Sequence, residues 1–147
     1  MLISAVLGWA IAQVVKTIID LALNKKLNFE RLVGSGGMPS CHSATVCALS
    51  VAAGYEYGLD SPAFAISVIL AIIVMYDARG VRRETGNQAE VLNKIMDFFR
   101  LHETGEFKPE FDQEQLKELI GHTPLQVLCG AILGIIVGFV SVNILPI

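Results

Sequence analysis

Four apolar runs separated by polar connections constrain this chain more than any other feature. Leu2–Leu23 is apolar except for Ser4, Gln13, Lys16, Thr17 and Asp20, and a second run covers about Ser40 to Tyr57. A third covers Ala63–Tyr76, and the last begins at Gly121-His122-Thr123-Pro124-Leu125-Gln126 and continues to Ile147. About 20 helical residues cross a bilayer core. Hydrophobic residues make up 53% of the 147 positions, above the ~45–50% usual for soluble domains. The expectation is an all-α integral membrane bundle with about four transmembrane helices, plus one or two amphipathic or cytosolic helices, in a single domain over residues 1–147. No cleavable signal peptide is expected, because no basic residue precedes the first run and no small-residue cleavage site closes it.

Small residues indicate how these helices associate. Ser40, Ala44, Ala48 and Ala52 recur every four residues in the second run, and Gly130, Gly134 and Gly138 do so in the last. Lipid supplies no hydrophobic drive between helices, so close backbone approach along such stripes holds them together. The glycine stripe is expected on the alanine stripe. Ser61 with Pro62 and Thr123 with Pro124 read as caps followed by proline at the first helical position.

Residues 84–121 are a polar insertion. Ala89, Val91, Leu92, Ile95, Phe98 and Phe99 have the spacing of one apolar helix face, which either lies on the membrane surface or covers a site. His102–Asp112 reads as a loop and Gln113–Ile120 as a short helix. Cys41, Cys47 and Cys129 lack CxxC spacing and read as small core residues. The net charge of −3 and the absence of a basic run give no reason to expect nucleic acid as a partner.

The chemistry-bearing residues sit at run ends. Gly34-Ser35-Gly36-Gly37-Met38-Pro39 leads into Ser40-Cys41-His42-Ser43, a glycine-rich turn entering a helix. Free amides and the positive dipole end make such a place suitable for a phosphate, with Gly37 allowing close approach. The plainer reading is a loop that only caps the helix. Gln13 and Lys16 share a face of the first run, with Asp20 one turn on. A lysine within a span belongs in the protein interior or a wet cavity unless it snorkels to the interface.

Up-and-down order brings the end of the first helix, the start of the second, the end of the third and the start of the fourth to one side. That side collects Lys16, Ser40, His42, the Asp77-Ala78-Arg79-Gly80-Val81-Arg82-Arg83 cluster, His122 and Gln126. The connections on that side, residues 24–39 and 79–121, carry every lysine and arginine except Lys16, so the positive-inside rule makes that face cytoplasmic; the plasma (inner) membrane is the expected location. Two imidazoles, cationic side chains and two helix N-termini suit phosphoryl transfer, in which one imidazole attacks phosphorus and the other protonates the leaving oxygen. No metal or other cofactor is expected: arginines would repel a cation from a His42, His122 and Asp77 site.

The stretches Gly36–Ser43, Tyr76–Arg83 and Gly121–Val127, in that order and at this length, resemble the small membrane proteins related to acid phosphatases and vanadium-dependent haloperoxidases. These form a divergent branch of the type 2 phosphatidic acid phosphatase superfamily. Pro39-Ser40-Cys41-His42 is similar to the superfamily's Pro-Ser-Gly-His, with Cys41 in place of glycine. The resemblance implies that Ser40 binds phosphate and His42 is the general acid. His122 matches the nucleophilic histidine, while Gln126 stands where an aspartate orients it. Lys16 resembles the first-motif lysine. Leu23 and Leu116 occupy positions where arginines are expected, so Arg82, or else Arg79 or Arg83, would supply the missing charge.

The resulting expectation is a phosphatase acting on a phosphomonoester or diphosphate of a lipid through a phosphohistidine. His122, His42 and Gln126 would be catalytic, Lys16, Ser40, Arg82, Arg83, Arg79 and Gly37 would bind phosphate, and Asp77 and Gln13 would support them. The bilayer and a lipid phosphate are the expected partners, with a homo-oligomer left open. The alternative is a catalytically inactive membrane protein that binds a phosphorylated lipid or supports a partner.

Overall fold

The computed structural model describes residues 1–25, 37–102, 116 and 121–144. Every regular element among them is a helix: α1 (Leu2–Asn24), α2 (Cys41–Tyr57), α3 (Pro62–Arg79), α4 (Val81–His102) and α5 (Pro124–Ile144). The loop expected at His102–Asp112, the short helix at Gln113–Ile120 and most of the glycine-rich turn lie outside the described residues, as does the side chain of Arg82.

The protein is an all-α membrane bundle. Three helical runs, beginning at Leu2, Pro62 and Pro124, are long and apolar enough to cross a bilayer. The second helix is shorter. Its 17 residues rise about 26 Å, less than the ~30 Å hydrocarbon core. It is the hub of the bundle, packing against α1, α3 and α5, while α1 also packs on α5.

The interior is made of small residues and the outside of large ones. Ala44, Ala48, Ala52 and Ala53 on α2 are fully buried, whereas Ile66, Ile73, Leu128, Ile135 and Phe139 are exposed. That distribution suits a chain whose solvent is lipid, where backbone proximity and not burial of large side chains joins helices. The glycine stripe of α5 does lie on the small-residue stripe of α2. A Cβ at Gly130 would overlap the carbonyl oxygen of Ser40, one at Gly134 would sit 2.8 Å from Ala44 Cα, and one at Gly138 would sit 2.9 Å from Val51 Cβ.

A third stripe, on α1, completes the packing. A Cβ at Gly8 would lie 2.8 Å from the Ala44 carbonyl oxygen and 2.9 Å from Ala48 Cβ. Ser4, Gly8, Ala12 and Lys16 recur every four residues on this buried face. Lys16 is therefore carried inward by the same face that packs the helix. The amine of Met1 pairs with Glu56, so α1 and α2 run antiparallel.

The third apolar run continues as helix beyond Tyr76 to Arg79, where Gly80 ends it and α4 begins at Val81. Asp77 and Arg79 are compatible with a helix end that leaves the apolar layer. Among the described helices α4 touches only α3, so it does not cover the ends of the other three. Its buried Asn93 exchanges two hydrogen bonds with the backbone of Leu116, at 2.9 and 3.1 Å.

Candidate functional site

The site forms where α2 and α5 begin beside the last third of α1. Gly37 has φ 85 and the Met38–Pro39 bond is cis, after which Ser40 caps α2 by accepting from the Ser43 amide at 3.4 Å. The Ser40 amide donates to the Gln126 carbonyl oxygen at 3.0 Å, which ties the two helix starts together. Ser40 is completely buried. Its hydroxyl oxygen serves the cap, and its hydrogen remains available to donate.

Gly121 adopts φ 98, a left-handed conformation that favours glycine, and the chain then places the His122 amide 3.0 Å from the Ala78 carbonyl oxygen. This bond fastens the entry of α5 to the end of α3. Thr123 and Gln126 then form a reciprocal pair. The Gln126 amide donates to Thr123 Oγ1 at 3.3 Å and the Thr123 amide donates to Gln126 Oε1 at 3.0 Å, a capping box.

The same glutamine oxygen lies 3.2 Å from His122 Nδ1. A backbone N–H can only donate, so the atom facing Thr123 is the amide oxygen, and it also accepts from His122 Nδ1–H. The hydrogen on Nδ1 leaves the lone pair of the neutral ring on Nε2, the tautomer a nucleophilic imidazole needs. The ring is 2% exposed.

His42, in the first turn of α2, meets His122 edge to face with ring centroids 6.0 Å apart and planes at 62°. On its other side His42 Nδ1 lies 3.9 Å from Cys41 Sγ. Lys16 Nζ donates to Gln13 Oε1 at 3.2 Å and to Cys41 Sγ at 3.7 Å, and the residue is 2% exposed. Burial excludes the snorkelling alternative for this lysine. Gln13, Lys16, Cys41, His42, His122 and Gln126 thus form one continuous chain of contacts drawn from three helices.

Among the arginines whose side chains are described, Arg79 and Arg83, neither is part of that chain. Arg79 and Arg83 are exposed at the α3–α4 junction, and Asp77 is half-buried there. Among the described residues, no group of three or more His, Cys, Asp or Glu side chains is arranged to hold a metal ion. Two features escaped the sequence reading although their signals were present: the Thr-x-x-Gln capping box and the Ser4-Gly8-Ala12-Lys16 stripe. Cys41 is a small core residue, packed with Ala12 and Ala44, and its sulfur also lies against the buried Lys16 ammonium.

The chain matches the family described as the Divergent PAP2 family over residues 1–137. It is 44% identical over 144 residues to the uncharacterized membrane protein YuiD of Bacillus subtilis strain 168, covering 95% of this chain and 91% of that protein. No solved structure matches.

Proposed function

This chain belongs to the Divergent PAP2 family, and on that premise we propose that it is a membrane phosphatase that removes phosphate from a phosphomonoester or diphosphate of a lipid. The observation that carries the reading is the meeting of His42 and His122, 6.0 Å apart, next to a lysine that is almost wholly buried. Splitting phosphoryl transfer into two steps through a nitrogen nucleophile needs an attacking lone pair, a proton donor and fixed positive charge.

Each need has a residue. Nε2 of His122 attacks phosphorus while Gln126 Oε1 holds Nδ1–H and thereby the ring. His42 gives a proton to the leaving oxygen, and a water then hydrolyses the phosphohistidine as His42 takes that water's proton. Lys16 and the Ser40 hydroxyl engage the non-bridging oxygens, with the α2 amides and Gly37 beside them. Gln13 positions Lys16. Arg79 and Arg83, exposed near Asp77 at the α3–α4 junction, supply positive charge on the same side as the pocket. Gln126 stabilises the imidazolium less than a carboxylate would, so turnover is modest.

A pocket between the polar ends of membrane helices suits a substrate whose phosphate is in water and whose tail is in lipid. With Lys25, Arg79, Arg83 and Lys94 on its side of the bilayer, the pocket faces the cytoplasm at the inner membrane. A second reading, a binder of phosphorylated lipid without turnover, draws on the amide at Gln126 and the exposure of Arg79 and Arg83.

The test is phosphate release by the purified protein in lipid nanodiscs from a panel of phosphatidates and polyprenyl phosphates and diphosphates. Release is expected from the wild type and is expected to vanish in His122→Ala and His42→Ala. Binding of these lipids with no release from any of them would favour the second reading.

A further inference from the structure

We propose that the groove between α1 and α5 is a subsite for the far end of the ligand's tail, so that the site selects a phosphate carried on one hydrocarbon tail longer than a single leaflet, of polyprenyl type. The inference rests on the phosphatase reading of the His42 and His122 pocket and names the class of lipid it takes. The groove has a volume of about 330 Å³ and is lined by Leu7 and Ile11 of α1 and by Ile136, Val137, Val140 and Ile144 of α5. Ser141 lies in it too, but its hydroxyl donates to the Gly138 carbonyl oxygen at 2.9 Å. The lining thus offers hydrocarbon and no spare donor.

Close backbone contacts hold the groove open. α1 is seated on α2 at Gly8, against Ala44 and Ala48, and α5 is seated on α2 at Gly134 and Gly138, against Ala44, Ala48 and Val51. Neither helix can roll toward the other without driving backbone into α2, so the gap between their large side chains stays. Val137 and Ser141 form a buried floor, and Ile11, Ile136, Val140 and Ile144 are exposed along the walls.

Depth identifies the occupant. Ile11, the near edge on α1, is five residues from Lys16, so the same pair of helices carries the buried ammonium at one end and the groove at the other. On α5 the lining residues stand ten to eighteen positions beyond Gln126, a rise of about 15–27 Å. Half of a bilayer core is about 15 Å, so the groove begins near the midplane and lies in the far leaflet. A tail that stops within the leaflet of its headgroup does not reach it. A longer one, with its phosphate between His42, His122 and Lys16, runs along the α1–α5 seam into it. Surrounding lipid is as apolar as the groove, so the gain is one of packing, and the tether to a bound phosphate favours the ligand's own tail over free lipid by effective concentration. One interhelical gap admits one chain and not the paired tails of a diacyl lipid.

The test uses the full His122→Ala chain in lipid nanodiscs, which leaves the ligand uncleaved, with a photoreactive diazirine at the tail end of a long-chain polyprenyl phosphate, of farnesyl phosphate or of a diacyl phosphatidate. The polyprenyl probe is expected to label the segments around Leu7–Ile11 and Ile136–Ile144 at least about tenfold more than the other two, and to lose that labelling when Lys16→Met is added. Equal labelling by all three, or labelling indifferent to Lys16→Met, would overturn the proposal in favour of an outer-leaflet lipid. Efficient disulfide formation between copies carrying Ile136→Cys would overturn it in favour of a second chain. In the presence of His122, Val140→Trp fills the groove and should lower kcat/KM for the polyprenyl phosphate relative to farnesyl phosphate at least about tenfold, and an unchanged ratio would again overturn it. If no lipid phosphate is hydrolysed, the phosphatase reading falls while the photolabelling still decides the groove. Hydrolysis without tail-end labelling removes the groove and leaves that reading standing.

Discussion

Gln126 performs two tasks with one oxygen, and removing that oxygen separates them. In Gln126→Ala the reciprocal cap with Thr123 disappears, a loss of about 1 kcal/mol. The acceptor of His122 Nδ1–H disappears as well, in a ring only 2% exposed, which adds about 1–3 kcal/mol for an unmet donor in a closed site. The sum is about 2–4 kcal/mol, most of it from the histidine because the Thr123 amide can turn to water. Gln126→Glu keeps both acceptors and puts a negative charge at a helix N-terminus, so its stability should stay within about 0.5 kcal/mol of wild type. The assay is reversible unfolding in mixed micelles together with nitrogen NMR of labelled imidazoles. Wild type should give the Nδ1–H tautomer for His122, Gln126→Ala a mixture, and Gln126→Glu a ring more readily protonated. A Gln126→Ala protein as stable as wild type, with unchanged His122 signals, would refute the reasoning.

Other expectations follow from the same coordinates. Gly134→Ala forces a methyl against the backbone of Ala44 and should cost about 1–3 kcal/mol in the same unfolding assay, whereas Ile135→Ala on the exposed face should cost much less. Gly121→Ala strains a residue at φ 98 by about 1–2 kcal/mol and, by shifting His122 from Ala78, should slow phosphate release more than it lowers stability. Lys16→Met should leave the fold as stable as before or more so, since a buried charge is replaced by an apolar chain of similar length. It should weaken inorganic phosphate binding by at least about tenfold in a titration, the equivalent of one charge-assisted hydrogen bond.

The apolar runs and the four-residue stripes on α2 and α5 were legible because close helix packing leaves a periodic mark in composition. The meeting of α5 with α2 followed from it. The same periodicity ran through Ser4, Gly8, Ala12 and Lys16, but the large residues between them dominate α1 and hid it. The role of Gln126 as a cap could have been found from Thr123-x-x-Gln126, a signature that a comparison with aspartate had displaced. The contact of Cys41 with Lys16 could not: it depends on the rotation of α1 about its own axis relative to α2, which no local spacing records. The third apolar run stops at Tyr76 while α3 goes on to Arg79, since polar residues extend a helix readily once it leaves the apolar layer.

The most direct measurement is the capture of a phosphoenzyme. After brief mixing with a lipid phosphate carrying radioactive phosphorus and a denaturing alkaline quench, the account predicts an acid-labile, base-stable label on the peptide that contains His122, absent in His122→Ala. Phosphate release with no label on His122, or a label that persists in His122→Ala, would contradict it.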